Sequence, residues 1–234
     1  MSASGDRPSQ IHAFPHSTGR SSAGAGIVTV ALLIASFAAT GTNPPTYDDS
    51  PREFAHFYAD KASSIELSVL LAIFGAATFL WFLGYLRWTF GAAEQLARGF
   101  QRSTAILTTA ATAGVAVSVV YDCAREAAVV AQGTVEPGVV RALDLFGAYT
   151  LTTAVLLLSV FTFASFFLIR ITQVLPQWLA YVALIATPLG VMQAVLMVAP
   201  SDDNGALGAL GYLWFLAFLI WLLGTSITLA RRAA

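Results

Sequence analysis

Six stretches of this chain, at about 24–42, 63–86, 103–126, 141–169, 176–198 and 207–229, stay apolar over a length that crosses a bilayer. A membrane-spanning helix needs about 20 predominantly apolar residues to traverse a hydrocarbon core of roughly 30 Å. Inside that core every backbone polar group must find its partner within the protein, and consecutive long apolar segments do so as helices. The expected fold is therefore all-α, a polytopic membrane helix bundle with six transmembrane helices. Composition agrees: 11% of the 234 residues are charged and 57% are hydrophobic, against about 25% charged in an ordinary soluble domain. Mean hydropathy is +0.71. A net charge of −1 gives no reason to expect a nucleic-acid partner. The partner that the composition requires is the lipid bilayer.

The segments between the spans carry the punctuation. Residues 1–22 are polar, with Arg7 and Arg20 among Ser, Gly and Pro, and are expected to be a disordered cytoplasmic tail; His12 and His16 there read as solvated. Residues 23–232 then form the transmembrane domain. The first span also resembles a secretory signal, with small residues Ala38 and Ala39 after the apolar run Ile27–Phe37. It lacks a clear small-x-small site before a soluble domain, so it reads as an uncleaved anchor. Asn43-Pro44-Pro45 stops it.

Ser50-Pro51-Arg52-Glu53 has the form of a helix start: a serine cap, proline at the first helical position and glutamate three residues after the cap. The short helix that follows places Phe54, Phe57, Tyr58 and Lys61 along one side and is predicted to lie as an amphipathic helix on the extracellular membrane surface. His56 is on its other side and reads as solvated. Gly133 should end the third helix near Ala131, and Glu136-Pro137 should start the fourth. Phe161, Phe163, Phe166 and Phe167 read as lipid-facing bulk, and Pro188 should kink the fifth span.

The third span is rich in small residues, and Ala110, Gly114 and Ser118 recur every four positions. Lipid tails are as apolar as leucine, so helices associate in a bilayer through close contact, which small residues permit. The pattern predicts that this helix is central and the most enclosed. Cys123, the single cysteine, excludes an intrachain disulfide and a multi-cysteine metal site and reads as a small buried apolar residue.

Six spans place Arg7, Arg20, Arg87, Arg98, Arg102, Arg170, Arg231 and Arg232 on one side, and Arg52, Lys61, Arg125 and Arg141 on the other. Eight plus four accounts for all 12 basic residues. The imbalance predicts both termini in the cytoplasm, in a cell inner (plasma) membrane.

Several short motifs, taken together, resemble a group of actinobacterial multi-span membrane proteins classed as a domain of unknown function. They are Asn43-Pro44-Pro45 before Ser50-Pro51-Arg52-Glu53, Phe57-Tyr58-Ala59-Asp60, Leu80-Trp81-Phe82-Leu83-Gly84 with Leu86-Arg87, Leu175-Pro176-Gln177-Trp178-Leu179, and the closing Arg231-Arg232. The similarity covers most of residues 40–232. It departs at Gln177, where the group's pattern has arginine. The resemblance implies the architecture and a bacterial inner membrane, and it implies no activity.

The one constellation with chemical potential is ionisable. Glu66, Asp122, Arg125, Glu126, Arg141 and Asp144 fall near one level, at the extracellular ends of spans two, three and four. Asp122, Arg125 and Glu126 share a helix face, as do Arg141 and Asp144. The residues are expected to form a charged vestibule, either as ion pairs tying helix ends together or as a ligand or ion site. No nucleophile–base pair, metal triad or cofactor motif is present, so neither catalytic residues nor a metal or cofactor are assigned. The first reading is a membrane-embedded binding or accessory protein whose partner is another membrane protein or a small ligand. The alternative is a small-molecule or ion transporter using the vestibule. A membrane enzyme ranks last.

Overall fold

In a computed structural model of the chain, which describes residues 16–40, 45, 49–96, 102–198 and 204–232, the protein is a bundle of six helices. They are α1 (His16–Thr40), α2 (Pro51–Leu96), α3 (Ser103–Ala131), α4 (Pro137–Thr172), α5 (Gln177–Val198) and α6 (Asn204–Arg232). All six contain a stretch long and apolar enough to cross a membrane. The start of α1 and the end of α6 lie at one end of the bundle, here termed the terminal face; the opposite end is the far face.

The helix boundaries follow local chemistry. At the start of α2 the Ser50 N–H donates to the Glu53 carboxylate at 2.6 Å, and the Glu53 N–H donates to Ser50 Oγ at 3.4 Å. This is the reciprocal cap that the sequence motif implies. Beyond α3, Gly133 takes φ +72, a left-handed turn open to a residue without Cβ. Pro137 opens α4 after Glu136. The tail expected to be disordered to residue 22 has helical backbone from His16 onward; residues 1–15 lie outside the described residues.

The separate surface helix over 51–62 is corrected. It is the beginning of α2, which runs unbroken for 46 residues, or ~69 Å. Between Pro51 and Gly75 no proline or glycine interrupts the chain, so nothing stops helix propagation at Ala62. Its apolar side faces protein: Phe54, Tyr58, Ile65 and Val69 are buried, the last three in a cluster with Ala128, Val129 and Val140 at the far ends of α3 and α4. Its outer side carries the exposed Arg52, Glu53, His56, Asp60 and Lys61.

The other end of α2 holds the start of α3. Glu94 is 5% exposed, and its carboxylate accepts from the Ser103 and Thr104 N–H groups at 3.0 and 3.3 Å. Arg102 at the cap position supplies no side-chain bond, so Glu94 satisfies two of the orphan amides at a helix N-terminus, where negative charge is favoured. Glu94→Ala is expected to destabilise by about 1–2 kcal/mol, read as a lower melting temperature in detergent with unchanged helicity.

Neighbouring helices pack in chain order and close with α1 against α6, while α2 also touches α4. α4 is the most enclosed helix: 56% of its apolar window is buried inside the protein, against 39% for α3. This corrects the expectation that α3 is central. Among the described residues the backbone of α3 packs closely on α2 and α4, because its small-residue stripe admits one neighbour closely, and it reaches α1 only through a side chain. By contrast, α4 buries Thr152, Val155, Leu158, Phe161, Ser165 and Leu168 around much of its circumference.

The axis is filled with rings. Phe79 and Phe82 of α2, Phe161 of α4, and Trp214, Phe218 and Trp221 of α6 are all buried. Phe161 meets Trp221 edge-on at 5.1 Å, and Trp214 stacks on Phe218 at 5.4 Å. Phe161 is therefore core and not lipid-facing bulk, whereas Phe163 and Phe167 are exposed. Cys123 is also corrected, from buried to exposed. Asp122, Ala124 and Arg125 hold the inward side of that turn, and Cys123 falls outside it.

Candidate functional site: an enclosed polar network at the far face

The network begins with hydroxyls that apolar helices can carry at little cost, because each can bond to a carbonyl of its own helix. Ser36 and Thr40 lie one turn apart on α1. Ser36 Oγ donates to the Ser68 carbonyl at 2.8 Å, and Thr40 Oγ1 donates to Ser68 Oγ at 2.8 Å. These contacts bring the end of α1 against the middle of α2.

Arg125 of α3 completes this group. Its Nη1 donates to Ser68 Oγ at 3.3 Å and its Nη2 to Thr40 Oγ1 at 3.2 Å. Its guanidinium carbon stands 5.4 Å from the centre of the Tyr121 ring, within range of a cation–π attraction. Asp122 and Asp144 both lie within electrostatic reach of Arg125. Among the described residues the hydrogen bonds of Arg125 go to hydroxyls and not to a carboxylate. Asp144 is held from another side, accepting from the Tyr58 hydroxyl at 2.6 Å. Four helices thus contribute to one group: Ser36 and Thr40, Tyr58 and Ser68, Asp122 and Arg125, and Asp144.

The group is enclosed. Arg125 is 7% exposed and Asp122 is 5% exposed, so these two do not line an open vestibule. Of the six residues singled out from sequence, Asp122, Arg125 and Asp144 come together. Arg141, one turn before Asp144 on α4, has its guanidinium carbon 5.8 Å from the Phe54 ring centre, and Glu126 is half-buried one position beyond Arg125. Glu66 is not brought in. It is exposed, while Ile65, Ser68 and Val69 occupy the inward face of α2. Among the described residues no three His, Cys, Asp or Glu side chains converge to hold a metal ion.

The sequence does not single out Thr40, Ser36 or Ser68, and the helical spacing of residues 54–61 predicts Tyr58 at the membrane surface rather than in this group. A signal for the first two was present in the hydroxyl pair at i and i+4 in the last turns of an apolar helix. Nothing local marks Ser68 as their partner or Tyr58 as the partner of Asp144.

No family model matches the chain, and no curated protein or solved structure matches it either. The fold and its buried ionic group define the class: an integral, multi-pass α-helical membrane protein in contact with the lipid bilayer.

Proposed function

We propose that this is a membrane-embedded binding or accessory protein of a bacterial inner membrane, related to the actinobacterial group that its motifs resemble, with both termini in the cytoplasm. The observation that carries this reading is the engagement of Arg125. Its charge is enclosed and bonded to α1 and α2 from α3, so it holds helix ends together where a channel would need it to face water. What the network holds in place is the start of α2. That segment is pinned by Tyr58 to Asp144 and presents Arg52, Glu53, His56, Asp60 and Lys61 outward. A fixed helix with a mixed-charge outer face suits docking against another membrane protein, since charge complementarity gives specificity and register.

Site-specific photocrosslinkers at His56 and Asp60 test it in cells. The expected result is one discrete crosslinked membrane protein from these positions and none from Trp81 on the lipid-exposed surface. Equal, diffuse labelling from all three would overturn the reading. Reporter fusions at residue 234 and within 43–62 test the orientation: a C-terminal reporter active only outside the cytoplasm would reverse it.

A second reading, a small-molecule or ion transporter, is favoured by one observation. Two carboxylates, Asp122 and Asp144, both lie within reach of the Arg125 charge, and paired carboxylates suit a cation or a proton. Proteoliposomes carrying a pH-sensitive dye separate the two readings, since only a transporter would show a flux that Asp144→Asn abolishes.

A further inference from the structure

At the terminal face a groove of about 600 Å³ opens between α5 and α6. Trp178 lies on its α5 side, and Ile220, Leu223, Ile227, Thr228 and Arg231 line its α6 side. The α6 residues recur at intervals of three, four, one and three, which makes a single stripe along the helix. From Ile220 to Arg231 the stripe covers eleven steps, ~16 Å, about half of a roughly 30 Å hydrocarbon core and so the depth of one leaflet. Gly224 keeps the inner wall low: a Cβ there would stand 2.4 Å from the outer edge of the Trp178 ring, so the indole can lie directly against α6.

The mouth of the groove is cationic. Arg231 and Arg232 line it, and among the described residues no acidic side chain does. Arg232 donates to the Val174 carbonyl and ties the end of α6 to the α4–α5 link. Arg170 donates to Gln177 Oε1 at 3.2 Å, beside Trp178. Arg231 has no protein partner among the described residues. An apolar channel one leaflet deep thus ends in an uncommitted guanidinium beside an exposed tryptophan, the side chain that favours the headgroup level.

We propose that this groove is a binding site for an anionic phospholipid, with the phosphate on Arg231 and one acyl chain along Ile227, Leu223 and Ile220. A soluble anion would use the arginine but not the apolar stripe. A zwitterionic lipid would use the stripe, but its own cation would oppose the arginines. Basic pockets between membrane helices are known to take anionic lipid headgroups.

Native mass spectrometry of the full chain tests this after exchange into micelles doped with equal phosphatidylglycerol and phosphatidylcholine. The expected result is preferential retention of one phosphatidylglycerol. Arg231→Gln, at an exposed position that does not hold the fold, should reduce that preference about fivefold. Ile227→Trp, which fills the channel, should reduce retention of either lipid, with its fold verified by an unchanged melting temperature in lipid-free detergent. Arg52→Gln at the far face should change nothing. Equal retention of the two lipids, an unchanged preference in Arg231→Gln, displacement of the lipid by millimolar inorganic phosphate, or a second copy of the chain covering the groove in place of lipid would each overturn the proposal.

Discussion

Arg125→Ala is expected to lower the apparent melting temperature of the detergent-solubilised protein by roughly 10 °C. Removing one member of a buried ionic group leaves its partners without compensation and costs about 3–5 kcal/mol, and each kcal/mol shifts melting by about 2–4 °C in a chain of this size. Three separate losses contribute. The Ser68 and Thr40 hydroxyls lose a charged donor, the Tyr121 ring loses its cation, and Asp122 and Asp144 each lose the positive charge that offsets their burial. Because the carboxylates and the arginine act together, their losses should not add. Asp144→Ala introduced into the Arg125→Ala protein should cost much less than the same change in the parent. Glu66→Gln, at an exposed position outside the network, should leave melting unchanged. Parent-like melting of Arg125→Ala would remove the tie between helix ends and with it the main support for a fixed docking helix. Apparent melting temperatures of this kind also reflect unfolding rate, so the comparison belongs at one heating rate and one detergent.

Gly114→Leu is expected to produce the second large effect, about 3 kcal/mol of destabilisation and a loss of folded yield. A Cβ at residue 114 would stand 2.8 Å from Leu158 Cγ and 3.4 Å from the Ala154 carbonyl oxygen. Leu158 can shift its rotamer, but the carbonyl is backbone, so a full leucine side chain must push α3 away from α4. Overpacking of a tight core costs typically 1–3 kcal/mol, and the distance between these helices is what close contact in a membrane depends on. Gly84→Leu is the matching control, since nothing lies within 4 Å of a Cβ there. Size-exclusion profiles and melting curves of the two variants provide the measurement; similar behaviour would mean that the α3–α4 contact is slack.

Both expectations rest on features that differ in how visible they are along the chain. The six spans are written in segment length alone, because a backbone inside hydrocarbon has no acceptable conformation other than one that satisfies itself. Helix ends are nearly as local: Ser50 with Glu53, Gly133, and Glu136 with Pro137 each act over three or four residues. The ionisable residues Asp122, Arg125 and Asp144 stood out for the same reason, since charge within a span is too costly to be incidental.

The tertiary structure decided everything that depends on helix rotation and on which helices meet. It continued α2 through Ala62, because the apolar side of residues 54–69 meets protein at the far ends of α3 and α4 instead of a membrane surface. It turned Glu66 and Cys123 outward and Phe161 inward, and it selected Ser68, Thr40 and Tyr58 as partners of the charged group from many equivalent hydroxyls. It gave Glu94 the amides of α3 and placed α4, not α3, at the centre. A small-residue stripe specifies how closely one neighbour can approach, whereas enclosure requires filling every side of a helix, and that depends on side chains contributed by the rest of the bundle.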